Sequence, residues 1–550
     1  MAMKRKEHPK GTEIRLTQQH VEAVNRRRSI VVNFDGIDGE GKILPNRPIP
    51  EIVKQRFSFA DDPDIHIDSI WWNWGEGNEG PYPSEIIPVY NHPGYKKWIQ
   101  DGIDIVKIFQ DETRARGIEV FYSHRMNGSD GDLRSVSTIP MKVKHQDWTH
   151  RMPWSPPEFP GYWNYALEPV REHRLEVLGE LAEKYDFDGF ELDFARGTPF
   201  PPGESWVNHE KLTDFVHRLR LMLLDIEKKR GRPFLLAARV PENLLGCHYD
   251  GIDVLTWIQA KLVDMLALGC RSYEVDIYTF RRMTDGTHVK LYPVIDELHC
   301  SDGYDWPPIE VFRGLTSNWH RQGADGIQLF NFSFAMDSPE HSTGAIQTHS
   351  RFYKEMSDPE VKHLLDKTFV IERRGGGHGP KAVPSPEDWS TPQHRYANTN
   401  LLARLPASLD NSCRSSTLFT LFVGDDLNAT SAYIGSLSLS VLLNDRETVD
   451  LPDDKKIERA LIRAFRGRNP FYNSPPEKGI EELFEARINN IPLGKPVVKR
   501  GWLIFEDLSS RLFAVGDNLM ELRINTPRRN ESKQILIEKV EVSVRYRTEL

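Results

Sequence analysis

Cysteine is scarce in this sequence, with four residues in a chain of 550. The four are far apart and none belongs to a CxxC pair: Cys247, Cys270, Cys300 and Cys413. Zinc sites and disulfide frameworks need closely or regularly spaced cysteines, so this spacing predicts four reduced thiols instead. The histidines show no tight metal spacing either. The HxD pair of His66 and Asp68 falls at the start of a predicted strand, where a structural role is favoured. We therefore expect no metal and no other cofactor.

Long apolar runs and an excess of positive charge are also missing. No stretch of eighteen apolar residues occurs, so the sequence predicts no membrane span. The net charge of −9 argues against nucleic acid as the main partner, because no basic excess exists to neutralise phosphates. The N-terminal segment MAMKRKEHPKGTEIR has the charge of a signal-peptide n-region but no apolar stretch behind it. We expect a cytoplasmic protein, or a secreted or periplasmic one if a signal was removed; the oligomeric state stays open.

Glycine-rich phosphate loops are a third absence. No GxGxxG or Walker-type sequence follows any predicted strand, which removes the usual nucleotide-binding classes. What remains is an ordinary globular composition, 39% hydrophobic and 27% charged. A chain of 550 residues is too long for one compact domain, so we expect two or three domains.

A strand-then-helix rhythm repeats eight times over the first 335 residues. The intervening helices show 3.6-residue apolar spacing, and such a series predicts an α/β fold of the (β/α)8 or TIM-barrel class. The predicted strands are Ile30–Asp35, Ile65–Trp72, Ile118–His124, Gly189–Phe194, Phe234–Val240, Val263–Leu268, Val289–Ile295 and Gly326–Phe332.

The sequence changes in character after residue 335. Residues 373–395 are rich in Gly and Pro, which is typical of a linker or an extended surface segment. From about residue 398, short strands with turn signals predict an antiparallel β-sandwich. The predicted division is an N-terminal extension (1–29), a catalytic barrel (30–345), a helical and Gly/Pro-rich linker (346–397) and an accessory sandwich (398–550).

Residues 184–196, KYDFDGFELDFAR, hold the most informative strand. Side chains alternate along a strand, so Glu191 and Asp193 share one face. Burying an ionised carboxylate without partners is very costly. Two acids on one short strand are therefore expected where water, a partner charge or a substrate compensates, which in a parallel barrel is the carboxyl end of the strand. The alternative is a structural pairing of each acid with a nearby Arg or Lys.

The other predicted strands also end in polar and aromatic side chains, and the cluster WWNW (71–74) is hard to explain as core packing. Carboxylates that converge with tryptophans suit a sugar, whose ring faces stack on indoles while its hydroxyls bond to charged groups. We predict a carbohydrate substrate. The predicted substrate-binding residues are Asp35, Trp71, Trp74, His124, Arg125, Trp163, Arg239 and Asn331.

The segment WNYALEPVREHRLEVLGELAEKYDFDGFELDF (163–194) resembles the glycosyl hydrolase-like proteins of the family-ten-like superfamily. The resemblance covers roughly residues 30–335 and implies a barrel whose fourth strand carries a catalytic carboxylate, which falls on Asp193 with Glu191 as its neighbour. The stretches RINNIPL (487–493), GWLIFEDL (501–508) and LFAVGDNLMELRI (512–524) resemble the galactose-binding-like sandwiches of carbohydrate enzymes.

Two carboxylates are the minimum for most glycoside hydrolysis: one protonates the leaving oxygen, and the other attacks the sugar or activates water. We predict Asp193 as the nucleophile or base, because it lies furthest along its strand. Glu297 is the first choice as acid and Asp296 the second, since YPVIDE places both at the end of the seventh strand. Glu274 and Asp276 are the next candidates for the acid if neither Glu297 nor Asp296 serves.

Two other functions stay open at this stage. A sugar isomerase or lyase could use the same barrel, because a carboxylate, a histidine and an arginine can also move protons beside a carbonyl. A non-catalytic carbohydrate-binding protein is the third alternative. Acids of the C-terminal part, such as Asp425 and Asp426, are expected to be solvated turn residues that do not reach the barrel mouth.

Overall fold

The computed structural model of this protein describes residues 13–36, 47–75, 77–127, 140–151, 161–194, 197–269, 272–296, 307–332, 343–357, 364–371, 402–405, 407–446, 479–499, 501–527 and 534–547. Among the helices in these ranges, none is long and apolar enough to cross a membrane.

A closed barrel of eight parallel strands confirms the predicted TIM-barrel class. The barrel order is β1, β2, β3, β6, β7, β8, β9 and β10, so each strand lies beside its neighbour along the chain, and β10 closes on β1. The short strands β4 and β5 pair separately, in the long connection after β3. The bounds are β1 (Ile30–Asp35), β2 (Ser69–Asn73), β3 (Glu119–Arg125), β4 (Thr149–His150), β5 (Tyr162–Trp163), β6 (Gly189–Asp193), β7 (Leu235–Val240), β8 (Met265–Leu268), β9 (Lys290–Ile295) and β10 (Ile327–Phe330).

Helices connect the strands and cover the outside of the barrel. Local signals set their ends: Asp104 accepts a hydrogen bond from the first turn of α4, and Gly231 ends α7 with a positive φ of 70°. The helices are α1 (Gln18–Asn25), α2 (Ile49–Arg56), α3 (Pro93–Gln100), α4 (Ile105–Ala115), α5 (Pro140–Lys144), α6 (Glu168–Lys184), α7 (His209–Arg230), α8 (Leu244–Asp250), α9 (Val254–Gln259), α10 (Ile277–Thr284), α11 (Ile309–Gln322), α12 (Thr343–Ser357) and α13 (Ile480–Leu483).

The largest error in the strand predictions concerns β2, which begins at Ser69 and not at Ile65. The residues before it alternate in polarity, as a strand does, but they form a turn that enters the barrel. The Asp68 carboxylate accepts hydrogen bonds from the backbone N–H groups of Ser29 and Ile30, at 2.7 and 3.0 Å, and lies 3.0 Å from His66 Nε2. The HxD pair therefore has the expected structural role.

The lower interior of the barrel is filled by apolar side chains that alternate inward from several strands. Gly189 is required on β6, because a Cβ there would lie 1.6 Å from the Phe121 ring. The absence of a side chain lets Phe121 fill the interior directly below the two acids of β6. The inner cluster consists of Val24, Val31, Trp71, Phe121, Leu235, Ala237, Met265, Ala267, Tyr292, Val294 and Phe330.

The amino-terminal end of the barrel, here called the floor, is covered by α1 and held by buried charges. Arg220 of α7 donates two hydrogen bonds to Asp264, at 2.6 and 2.8 Å. His20 of α1 lies between Asp264 and Glu227, at 3.0 and 2.7 Å. The pKa of His20 is raised because these two carboxylates outweigh the effect of burial. The floor is thus a closed ion network that fixes α1 to the barrel.

Two antiparallel sheets follow the barrel, and their apolar residues form one buried cluster. The first sheet has the order β11-β20-β14-β18-β17, with β12 also on β20, and the second has β13-β19-β15-β16. The strands are β11 (Lys367–Val370), β12 (Ala407–Ser408), β13 (Thr417–Val423), β14 (Ile434–Arg446), β15 (Phe484–Ile488), β16 (Ile491–Pro492), β17 (Val497–Lys499), β18 (Trp502–Phe505), β19 (Gly516–Ile524) and β20 (Gln534–Tyr546). Strand β11 lies within the segment predicted as linker.

The sheets contact the barrel through α11. Asn318 donates to the Phe422 carbonyl at 3.0 Å and accepts from the Gly424 N–H at 2.7 Å. Gly314 permits the approach, since a Cβ there would lie 2.2 Å from the Thr368 carbonyl oxygen. The expectation of a solvated turn residue is wrong for Asp425, whose carboxylate accepts from Ser317 and pairs with Lys367.

Candidate active site

Five charged side chains meet at the carboxyl ends of the barrel strands, here called the mouth. Arg125, Asp193 and Arg239 are direct neighbours in register on β3, β6 and β7. Asp35 ends β1, and Asp296 follows β9 directly. Because neighbouring inward positions along a strand are two residues apart, the sequence fixes which residue of each strand can face this space.

Arg239 is the centre of the mouth. Its Nη1 lies 3.8 Å from Asp193 Oδ2, and its Nη2 lies 3.9 Å from Asp296 Oδ2. The Nε group donates to the Gly269 carbonyl at 3.2 Å, and the guanidinium stacks over the Phe330 ring at 4.3 Å. All three charged side chains are almost completely buried. One guanidinium thus lies between two carboxylates of different strands.

A second ion pair lies beside the first. Arg125 Nη2 donates to Asp35 Oδ1 at 2.6 Å. Asn331 Nδ2 donates to the other carboxylate oxygen at 3.1 Å, and its own oxygen accepts from the Asp35 N–H at 3.0 Å. Asn331 has a φ of 51°, a left-handed conformation that asparagine tolerates well. The structure therefore brings together three of the predicted substrate-binding residues in one hydrogen-bonded group.

Glu191 lies deeper, below Asp193 on the same face of β6, and is completely buried. Its Oε2 accepts from Ser123 Oγ at 2.5 Å and from Asn33 Nδ2, and its Oε1 accepts from Gln328 Nε2 at 2.9 Å. Burial and, to a smaller extent, the charge of Asp193 raise the pKa of Glu191 to about 7. The carboxyl group is thus poised to change its charge near neutral pH.

Three predicted binding residues do not face the mouth. His124 and Trp74 point outward from the strands into the helical layer, where Trp74 packs on Phe109 of α4. Trp163 of β5 is buried between Lys142 and Arg174, each 5.3 Å from its ring, and donates to Asn78 at 2.9 Å. These packing contacts give no support to the prediction that His124, Trp74 and Trp163 contact substrate.

His124 shows most clearly why a residue near a strand end can face away from the mouth. On β3 the inward positions are Ser123 and Arg125, so the residue between them must face outward. Burial, with the nearby Arg174, holds the pKa of His124 well below its usual value. Among the described residues, neither ring nitrogen has a hydrogen-bond partner. A neutral, enclosed imidazole in this place packs as an aromatic ring.

Trp71 faces the interior, but below the acids. Its indole N–H donates to Ser69 Oγ at 2.8 Å, and its ring meets Phe121 edge-on at 4.9 Å. Of the reserve acids, Asp276 accepts from the Thr279 N–H at 3.2 Å and so caps α10. Glu297, the first choice for the acid, lies outside the described residues. Within those that are described, no group of three or more histidines, cysteines or acids is placed to hold a metal.

Sequence reasoning missed the neutral side chains that surround Glu191. Asn33, Ser123 and Gln328 come from three different strands, and nothing local marks them as partners of one carboxylate. A periodic signal was present for two of them, since Asn33 and Ser123 lie two residues before Asp35 and Arg125 and so share their inward face.

Comparisons with known proteins find distant structural similarities but no family. No protein-family model matches the chain, and no curated protein matches it either. Solved structures of glycoside hydrolases are similar at 8–14% identity and with TM-scores below 0.5. At that distance the likeness carries no argument about activity.

Three of these structures differ in how much of each chain the similarity covers. α-L-Fucosidase isoenzyme 2 from Paenibacillus thiaminolyticus is 14% identical over 63% of this chain and 51% of its own, with a TM-score of 0.42. The glycoside hydrolase domain of PgaB (BpsB) from Bordetella bronchiseptica is 13% identical over 59% and 98%, with a TM-score of 0.39. A GH36 α-galactosidase, AgaA A355E, from Geobacillus stearothermophilus is 8% identical over 91% and 56%, with a TM-score of 0.32. This chain thus spans about half the length of the fucosidase and the galactosidase.

Proposed function

We propose that this protein is a glycoside hydrolase that cleaves a glycosidic bond in an oligosaccharide or polysaccharide with two carboxylates. The observation that carries the proposal is the bridge from Arg239 to Asp193 and Asp296 at the barrel mouth. The end of β6, which carries Asp193, and the end of β9, which precedes Asp296, thus face one mouth, as a mechanism with two carboxylates from different strands requires.

Asp193 is the proposed nucleophile or base. It lies one inward position above Glu191 on β6, with its Oδ2 3.8 Å from Nη1 of Arg239. An ionised group in a buried mouth can stabilise the positive charge that develops on a sugar ring in the transition state.

The proposed acid remains Glu297. Asp296, the second candidate, also faces Arg239, and a cation in that position favours the ionised form, which an acid must avoid. Asp296 suits electrostatic support of the reaction better than proton donation. Asp35, Arg125, Arg239 and Asn331 are the proposed partners of substrate hydroxyls, because they present both donors and acceptors to one space.

The sheets after the barrel are proposed to form an accessory sandwich of the galactose-binding-like kind. The support is the single apolar cluster shared by both sheets and the firm contact with α11. The catalytic carboxylates are assigned to the barrel alone.

The test is a screen of aryl glycosides and oligosaccharides with the wild-type protein and Asp193→Asn. We expect the variant to fold and to lose at least about 100-fold in kcat/KM, because an amide cannot carry the negative charge. Asp101→Asn is the matched control, since Asp101 is a surface carboxylate that pairs with Lys97 at the same helix end.

Three outcomes decide the proposal. Full activity in a folded Asp193→Asn protein contradicts the assigned role. Sugar binding without turnover by the wild-type protein supports the binding-protein alternative, and interconversion of free sugars without hydrolysis supports the isomerase or lyase alternative.

A further inference from the structure

Glu191 and Asp193 form a pair of completely buried carboxyl groups on one face of β6. Inward positions two apart on a strand place their Cβ atoms roughly 7 Å apart. Two negative charges at that distance inside a protein repel strongly, so one of the groups takes up a proton before the other. Which one does so depends on the surroundings of each.

The surroundings differ in kind. Asp193 faces the guanidinium of Arg239 at 3.8 Å. The hydrogen-bond partners of Glu191 are the neutral side chains of Asn33, Ser123 and Gln328. The charged groups that act on Glu191 are Asp193 of its own strand, which raises its pKa, and Arg239 of β7, which lowers it. The cation lies next to Asp193, so the proton belongs on Glu191.

The neutral side chains can form hydrogen bonds with either the ionised or the protonated form of Glu191. Towards the carboxylate all three donate, as the distances show. Towards the protonated acid, an amide can rotate by a half-turn and accept through its oxygen, and the Ser123 hydroxyl can turn away. Among the described residues, Asn33 Oδ1 and Gln328 Oε1 have no hydrogen-bond partner, so either oxygen can accept from the protonated acid. Rotation of the Gln328 amide gives up only its bond to Glu191, whereas rotation of Asn33 also gives up its bond to Ser123 Oγ.

We propose that Glu191 is a positioning residue that stores a proton below Asp193 and so leaves the Arg239 guanidinium to Asp193 for the reaction. The effect on turnover rests on the proposed hydrolase function, whereas the stored proton does not. The proton is exchanged with solvent, and no other bond forms or breaks. Once it leaves, the pair carries two negative charges, and Arg239 is drawn towards the deeper carboxylate.

The first test is the pH profile of kcat/KM for the wild-type protein and Glu191→Gln. We expect wild-type activity to fall as the pH rises through about 7, following the charge of the pair. Glutamine is neutral at every pH, so kcat/KM of the variant should no longer fall as the pH rises through about 7. Its maximal kcat/KM should be lower than that of the wild-type protein by about tenfold or less. Glu485→Gln, an exposed sheet residue paired with Arg523, is the control and should keep the fall in kcat/KM. A folded Glu191→Gln protein with an unchanged fall in kcat/KM overturns the proposal.

The second test uses infrared spectroscopy of the protein without substrate. We expect a carbonyl band of a buried, protonated carboxyl group that disappears as the pH rises through about 7 and is absent from Glu191→Gln. In Asp193→Asn the band should titrate at lower pH, because the charge that raises the pKa of Glu191 is gone. If Glu191→Gln does not fold, the infrared titration of the wild-type protein and Asp193→Asn tests proton storage by itself.

The two proposals can fail separately. A wild-type protein that hydrolyses glycosides but shows no such band retains its function and contradicts proton storage. A band that titrates as expected in a protein without hydrolytic activity supports proton storage and contradicts the hydrolase.

Discussion

The floor and the mouth of the barrel are both lined with buried charges, but the charges are held differently. At the floor, Arg220 donates two hydrogen bonds to Asp264, at 2.6 and 2.8 Å. At the mouth, Arg239 lies 3.8 and 3.9 Å from Asp193 and Asp296, outside hydrogen-bond distance. The direct hydrogen bonds at the floor hold one arrangement, whereas the described contacts of Arg239 with its two carboxylates are longer than hydrogen bonds. We therefore expect the floor to contribute more to stability than the bridge from Arg239 to Asp193 and Asp296.

The largest stability effect is expected at the floor, from Asp264→Asn. The change removes the charge that Arg220 and His20 face inside the protein, and leaving a buried charge without its partner costs about 3–5 kcal/mol. Denaturant unfolding followed by circular dichroism measures the loss. Asp101→Asn is the control at the surface. A loss below about 1 kcal/mol would remove the floor's role in stability.

The same substitution, arginine to lysine, can be made at Arg220 of the floor and at Arg239 of the mouth. Lysine cannot form the two-pronged contact of arginine, so Arg220→Lys should lower the free energy of unfolding by about 2–3 kcal/mol. Arg239→Lys should lower it by less than Arg220→Lys does, because the described carboxylate contacts of Arg239 are longer. Equal losses in the same unfolding experiment would show that both ends of the barrel are held alike.

The smallest effect is a pH dependence at the floor. Burial lowers the pKa of His20, but Asp264 and Glu227 outweigh it, so the folded-state pKa lies above the ordinary value of 6.5. The stabilisation is therefore complete below about pH 6.5 and is lost as the pH rises through the folded-state pKa. Unfolding curves across this range should show the decline in the wild-type protein and a flatter response in His20→Asn. Identical pH dependence in both would contradict the protonated form of His20.

The residues of the mouth show what the sequence could predict. The alternation of GFELD was enough to place Glu191 and Asp193 on one inward face and to set Glu191 deeper. The same alternation, applied to β3, would have turned His124 outward; choosing residues by nearness to a strand end ignored the direction of the side chain.

Contacts between strands lay beyond local patterns. The shell around Glu191 joins β1, β3 and β10, and the register of those strands depends on closure of the whole barrel. Likewise, β11 was assigned to a linker, because its short run KTFV carries no sign of the partner β20, which lies more than 150 residues away in the chain.

The most direct test compares the same substitution at the two ends: the free energy of unfolding of Asp193→Asn beside that of Asp264→Asn, each also assayed for glycoside hydrolysis. We expect Asp264→Asn to lose about 3–5 kcal/mol. Asp193→Asn should stay within about 1 kcal/mol of the wild-type protein, or gain stability, while losing hydrolysis, because active-site charges are placed for reaction at a cost in stability. A loss of stability in Asp193→Asn as large as that in Asp264→Asn, with hydrolysis retained, would contradict the assignment of chemistry to the mouth.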